Sequence, residues 1–468
     1  MKHIAGTLLL LSLFACGPIA APSIQEEPSA PQPEVIDPSA ADPAIAVAEE
    51  AGPFEYFDDM AAMVRADLER VTGVELADLD FHLADEDTMA HVVLRSQEAL
   101  GQGGLDEDDV RAWARALLGV YDYVDTHAVY VCPENLAHAA EIFDMPELNR
   151  AEVVYAIMAH EGAHGVADRE YDLLKLMQKG AQGKADGLMA ASSVIEGYAQ
   201  WVAGSVCAEG NRRKGFERFT QAIGTSPKLG DPGSQILTDN IVAQTSFSYY
   251  SGLEFVQAVH AKGGMEAIAA VFAAPPTSRT DIANPGWYLD PSSRPRSGLD
   301  LDAALACLPP RLETSEGMQF MQREVGVAEL LPAAQMVGPQ ATQEMKDSVV
   351  SLTVKIGQTP DGGQMVVLGA IVCNGEAGAA SYIDIGRQIS LKKDEQLAGE
   401  GFLQILSSEE VPLPRWRGYH LRQGHVGGRR ADSADPDPGP PGQSGFGVDP
   451  IECGNGRRSA RRPAERSV

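Results

Sequence analysis

The chain has 468 residues, 44% of them hydrophobic, which is enough for a sizeable core and for more than one domain. Its 66 acidic residues against 37 basic ones give a formal charge of −29. That balance argues against nucleic acid, and against an anionic membrane surface, as the main partner; it says nothing about catalysis.

Lys2 and His3 precede a short apolar run from Ile4 to Ala15, followed at once by Cys16. The run is too short to span a bilayer but suits the core of an export signal. Leu13-Phe14-Ala15-Cys16 resembles the lipobox of bacterial lipoproteins, with Phe14 bulkier than that pattern usually shows. The resemblance implies that residues 1–15 are removed and that Cys16 carries lipid; an ordinary cleaved signal with an incidental cysteine is the alternative. Gly17 stands where an aspartate often marks inner-membrane retention, so the same resemblance points to the cell envelope and its outer membrane. Between Gly17 and Glu50 lie seven prolines and seven acidic residues, with no lysine, arginine or aromatic. Such a segment cannot bury enough apolar surface to offset its ordering entropy, so residues 16–53 are expected to form an extended, disordered tether.

Order is expected from Phe54. Phe54 to Val71 and Glu107 to Tyr123 carry apolar residues at helical spacing, and Ala128 to Val131 is a β-prone run. Asn149 followed by Glu152 predicts a capped helix start, with the helix running through the mid-160s. A second apolar helix is expected over about Leu188 to Ala208. Two more, Tyr250 to Ala261 and Met265 to Ala273, are split by Gly263-Gly264 and stopped by Pro275-Pro276. From about residue 297 to 412 a smaller C-terminal α/β region is predicted. It comprises a helix near Gly317 to Leu331, strands Ser348 to Ile356 and Gln364 to Cys373 across a Pro-Asp-Gly-Gly turn, and a helix near Ala377 to Leu391. Residues 413–468 hold ten arginines against six acids and little periodicity, and are expected to be disordered. The predicted class is α+β, mainly α. Of six cysteines none forms a CxxC pair; Cys132, Cys207, Cys307 and Cys373 would be free to bridge after export.

The chemistry lies in Val153 to Asp168, VVYAIMAHEGAHGVAD. His160 and His164 are four residues apart, so on a helix their rings leave one face a turn apart. Val153 and Ile157 continue that stripe, which makes it a buried one. Zinc accepts neutral imidazole nitrogens, and two from one rigid helix arrive with much of the geometry set. Glu161 is rotated away from His160, beside the metal without ligating it, where a general base belongs. A catalytic zinc takes a third protein ligand. Among Glu170, Asp172, Asp186, Glu196 and Glu209, only Glu196 sits within an apolar helix, where a carboxylate needs a compensating charge. Gly197 beside it admits a close backbone. Asp168 and Gln200, one turn beyond His164 and Glu196, are candidates to orient the ligands.

These residues resemble the gluzincins, zinc peptidases with HExxH on one helix and a glutamate on the next. More narrowly, the chain is similar to a group of bacterial and archaeal secreted proteins pairing HExxH with Glu-Gly-x-Ala and Pro-Pro-Thr-Ser. Here those elements read His160 to His164, Glu196 to Ala199 and Pro275 to Ser278, and the likeness covers about residues 150–290. It implies a zincin-like core over 54–296, one zinc on His160, His164 and Glu196, Glu161 as general base, and a peptide or protein substrate. Two departures bear on turnover more than on metal binding. Gly162 replaces a usual large apolar residue, and Asn284 stands where the group commonly has a histidine that would steady an oxyanion. Tyr249 or Tyr198 would then take that part. The rival expectation is a catalytically inactive zinc-binding lipoprotein serving as a structural or binding module.

Overall fold

The computed structural model describes residues 53–101, 107–182, 185–227, 232–294, 319–325, 327–335, 337–358, 365–399, 409–410 and 422–423. The expected signal segment, Cys16, the tether up to residue 52, Cys307, and the tail from 413 apart from residues 422–423 lie outside them. No helix among the described residues is long and apolar enough to cross a membrane. The described chain is α+β and mainly α, as expected.

Helix α1, Phe57–Thr72, closes on Gly73 in the left-handed conformation. Strands β1 (Phe81–Leu83), β2 (Gly119–Tyr121) and β3 (Val129–Val131) form a small sheet in the order β1-β3-β2, with β1 parallel and β2 antiparallel to β3. Helices α2 (Glu86–Ala99) and α3 (Glu107–Ala114) link β1 to β2. The Asp85 carboxylate caps α2 by accepting the Thr88 N–H at 2.9 Å. The helix expected over Glu107 to Tyr123 therefore stops at Ala114. Beyond it Gly119, Val120 and Tyr121 pair with β3, and tertiary pairing overrides a weak helical pattern.

After α4 (Pro133–Ile142) comes α5, Ala151–Tyr171, in which every residue from Ala151 to Ala167 is buried. A helix apolar on all sides belongs in the middle of a domain. The start expected at Asn149 is not found. Asn149 ends a 3-10 turn, Arg150 is the N-cap, and no side chain caps the helix. Packing does that work instead. Glu152 is buried, and helix α8 (Gly210–Ile223) lies so close that a Cβ on Gly215 would sit 2.0 Å from the Glu152 carbonyl oxygen.

Helices α6 (Leu173–Gln182), α7 (Ala185–Val206) and the long α9 (Pro232–Ala273) complete the helical layer, with α7 packed on both α5 and α9. Gly197 of α7 meets Gly252 of α9 backbone to backbone, and a Cβ on Gly197 would lie 2.2 Å from the Gly252 carbonyl. The predicted close approach at Gly197 is thus present. Gly263 and Gly264 interrupt α9 with non-helical dihedrals, and the helix ends at Ala273 before the two prolines.

Short helices α10 (Arg279–Ala283) and α11 (Pro285–Leu289) follow. The C-terminal region holds β4 (Gln319–Val325), α12 (Leu331–Gln335), α13 (Pro339–Ser348), β5 (Val349–Gln358), β6 (Met365–Cys373) and α14 (Gly375–Gly399). Strands β4, β5 and β6 form an antiparallel sheet in that order. The helix expected near Gly317 to Leu331 is instead strand β4, because seven consecutive residues pair with β5. This region packs into the same core: Val327, Leu331, Met345 and Val349 are buried in one hydrophobic cluster with the helices. Cys132, Cys207 and Cys373 are unpaired thiols, so no bridge forms among the described cysteines.

Candidate metal centre

Helix α5 brings His160 and His164 to one face, and α7 packs across that face with Glu196. All three are buried, at 1%, 8% and 6% exposure. Glu196 Oε2 lies 3.2 Å from His160 Nε2 and 3.6 Å from His164 Nε2, and the three candidate donors fall within 4.8 Å of one another. The imidazole rings stand edge to face, 4.8 Å between centroids. Tyr249, from α9, stacks on His160 at 5.5 Å, and Phe219, from α8, meets the same ring edge-on.

Whether these donors suit a metal is a question of spacing. Ligands about 2.0–2.1 Å from a tetrahedral zinc stand ~3.4 Å apart. The observed 3.2 and 3.6 Å bracket that edge length. Two imidazoles with one carboxylate also form a donor set suited to zinc and neighbouring transition metals rather than to magnesium or calcium. The residues fit.

The electrostatics agree with a site built for positive charge. Burial would raise the Glu196 carboxyl, yet the His164 charge and hydrogen bonds from both imidazoles push it down to about 2. Burial holds His160 below the usual imidazole range, against the opposing pull of Glu196. Burial acts in the same sense on His164, but the Glu196, Glu161 and Asp168 carboxylates outweigh it and raise that ring. Glu161, on the next position of α5, is pushed up to about 7, chiefly by burial. The Tyr121 backbone N–H is turned toward it, and the Glu161 Cγ lies 3.0 Å from where a Cβ on Gly119 would be. Strand β2 therefore runs directly along the acid.

A cleft opens between β2 and helices α5, α6 and α7. Glu161, His164 and Glu196 lie in its wall, with Tyr121, Tyr123 and Tyr249 around them and Leu117, Leu173, Met177 and Ile195 forming its apolar side.

Of the residues singled out from sequence, His160, Glu161, His164, Glu196 and Tyr249 come together. Four others do not. Asp168 accepts hydrogen bonds from Tyr121 Oη and His127 Nδ1, each at 2.9 Å, and from the Leu173 N–H, so it orients neither ligand. Gln200 is buried with no hydrogen-bond partner for its amide, and neither histidine's Nδ1 meets an acceptor among the described residues. Asn284 caps α10, its amide donating to the Thr280 and Lys346 carbonyls, because the chain turns there from α10 into α11. Tyr198 points into an aromatic cluster with Tyr171, Trp201 and Phe272.

Sequence reasoning missed Gly119 and Tyr121, for which the glycine before an alternating run was the available signal. It also missed the partner of Asp186. That carboxylate accepts from Ser278 Oγ and from the Arg279 N–H and Nε at 2.7–2.8 Å, both groups being fully buried. The Pro-Pro-Thr-Ser segment thereby ties itself to the first turn of α7, the helix that carries Glu196. No protein-family model, no curated protein and no solved structure matches this chain.

Proposed function

We propose that the protein is a zinc-dependent peptidase with a zincin-like core, in which His160, His164 and Glu196 hold one metal ion. The spacing of the three donors, 3.2 and 3.6 Å around a single carboxylate oxygen, is the observation that carries this reading. Zinc in a site with three protein ligands supplies Lewis acidity, polarising a carbonyl and acidifying water. Glu161 takes a proton from the attacking water and hands it to the leaving amine. Its carboxyl lies buried beside the three ligands in the cleft wall, where it can serve both halves of that task. Tyr249, stacked on His160 in the cleft wall, is the tyrosine placed to steady the carbonyl oxygen, in place of Asn284 and Tyr198.

Strand β2 is an edge strand, and an extended peptide can add to such an edge with its scissile bond near Glu161. The aliphatic wall of Leu117, Leu173, Met177 and Ile195 favours an apolar side chain next to that bond. Exported and held to the cell envelope by lipid on Cys16, with residues 16–53 as its tether, the enzyme would act on peptides or proteins outside the cytoplasm.

Protein purified without chelator should hold about one zinc per chain. Glu161→Gln keeps the zinc and abolishes peptide hydrolysis, whereas His160→Ala loses both. Absence of zinc on elemental analysis ends this reading. One observation favours a rival, an inactive zinc-binding module: among the described residues neither His160 nor His164 has the Nδ1 acceptor that usually orients a ligating ring. Stoichiometric zinc with no cleavage of a diverse peptide library would establish the rival.

A further inference from the structure

Tyr121 is tied to the active-site helix at both ends. Its hydroxyl donates to Asp168 Oδ2 at 2.9 Å, one turn beyond His164. Its backbone N–H is turned toward Glu161, two turns earlier on the same helix, whose Cγ lies 3.0 Å from where a Cβ on Gly119 of the same strand would be. The strand's pairing leaves that N–H available. The Asp122 N–H bonds the Ala128 carbonyl at 2.9 Å, and residues along an antiparallel pair alternate between facing the partner strand and facing away. Tyr121 is the residue that faces away from β3, toward α5. The fit beneath it is tight. A Cβ on Gly165 would lie 3.3 Å from the Tyr121 ring, and one on Gly119 would lie 2.9 Å from Ile157 Cγ2.

Asp168 is itself held firmly. Its other oxygen accepts the Leu173 N–H, and His127, whose backbone is left-handed at φ 50, shares Oδ2 from the solvent side. A carboxylate with this many donors is a fixed post, and the Tyr121 hydroxyl is the line to it.

We infer that Tyr121 is a positioning residue: its hydroxyl, moored to Asp168, fixes the height of strand β2 over helix α5 and so keeps the Tyr121 N–H aimed at the Glu161 carboxylate. The inference rests on the peptidase reading for its kinetic consequence but not for its geometry. A strand held rigidly against Glu161 restricts the orientation of the acid, and small misplacements of a reacting group are costly in rate. Removing the hydroxyl keeps the ring that lines the cleft, so substrate binding should be spared.

The test compares Tyr121→Phe, Asp168→Ala and His127→Ala in the full zinc-loaded chain. Tyr121→Phe and Asp168→Ala are expected to lower kcat by roughly ten- to a hundredfold with KM changed little. Zinc content should stay stoichiometric, and the Tyr121 amide should exchange faster with deuterium than in the parent. His127→Ala should leave both kcat and that amide unchanged. Asp168→Asn, whose side-chain oxygen still accepts from a hydroxyl, should recover most of the loss. Parent-like kcat and parent-like Tyr121 exchange in Tyr121→Phe would overturn the inference. So would an equal kcat loss in His127→Ala, since the network rather than the tyrosine would then be responsible. If the parent cleaves no peptide, the peptidase reading falls, while the exchange rate of the Tyr121 amide in the same variants still decides the mooring.

Discussion

Gly162 lies against Leu68 of helix α1: a methyl group on Gly162 would stand 2.6 Å from Leu68 Cδ1, with the Phe81 ring 3.3 Å away. The space beside Gly162, inside the HExxH segment, is filled from outside by Leu68. Gly162→Leu should therefore destabilise the protein by about 1–3 kcal/mol through overpacking, despite leucine's better helix propensity. Pairing it with Leu68→Ala should recover much of the loss. Denaturant midpoints of the single and double variants check this, and a Gly162→Leu chain as stable as the parent contradicts the packing argument.

The contact of Gly197 with Gly252 brings the two backbones closer than a side chain allows. Gly197→Ala must push α7 from α9, and Glu196 is the neighbouring residue. The expected result is a loss of more than about 3 kcal/mol, at the upper end of overpacking effects, together with weaker zinc binding in a competition titration.

Arg279 and Asp186 form a buried ion pair at 2.7 Å, with side-chain exposures of 0% and 4%. Removing one partner leaves a charge stranded, so Arg279→Met should cost ~3–5 kcal/mol. The double change Asp186→Leu with Arg279→Met should be markedly less harmful. Urea unfolding of both separates a stranded-charge effect from a loss of packing; equal damage in the two would reject the first.

Asp122 gives the stability a defined pH dependence. Burial favours its protonation, but the Val124 N–H, the Arg95 charge and the Thr126 donors outweigh this and hold the carboxyl below its usual range. A group depressed in the native state contributes stability that is complete above its unfolded pKa, about 4, and is lost as the pH falls through the native value. Melting temperature should thus drop between pH 5 and pH 3, and Asp122→Asn should lower the pH 7 value while flattening the acid slope. An unaltered slope in that variant would remove Asp122 from the account.

The three candidate metal ligands were legible because each announces itself locally. Two histidines a turn apart and a lone acid within an apolar helix are patterns written in contiguous residues. The residues that orient the site were not, since their roles arise from distant partners. Asp168 was placed correctly beside His164 along the helix, but its oxygens are claimed by Tyr121 and His127, 47 and 41 positions away. Asp186 stood among the candidate third ligands, and its actual partner, Arg279, lies 93 positions on. Strands β2 and β4 were read as helix for the same reason: short segments take the state of whatever pairs with them. The buried His160–His164 stripe of α5 and the Gly-Gly break in α9 depend on no partner, and both were visible in advance.

The thiols of Cys132 and Cys207, buried and in no disulfide, offer a use of their own. Burial lifts both above the ordinary thiol range, so neither should react with an alkylating reagent while the chain stays folded. Each becomes a clock that starts only when its surroundings open. Cys207 sits just past the end of α7 and Cys132 just past β3, so the two label the helical layer and the small sheet separately. Alkylation rates read with and without zinc would then show whether the ion holds both halves shut or only the one that carries Glu196.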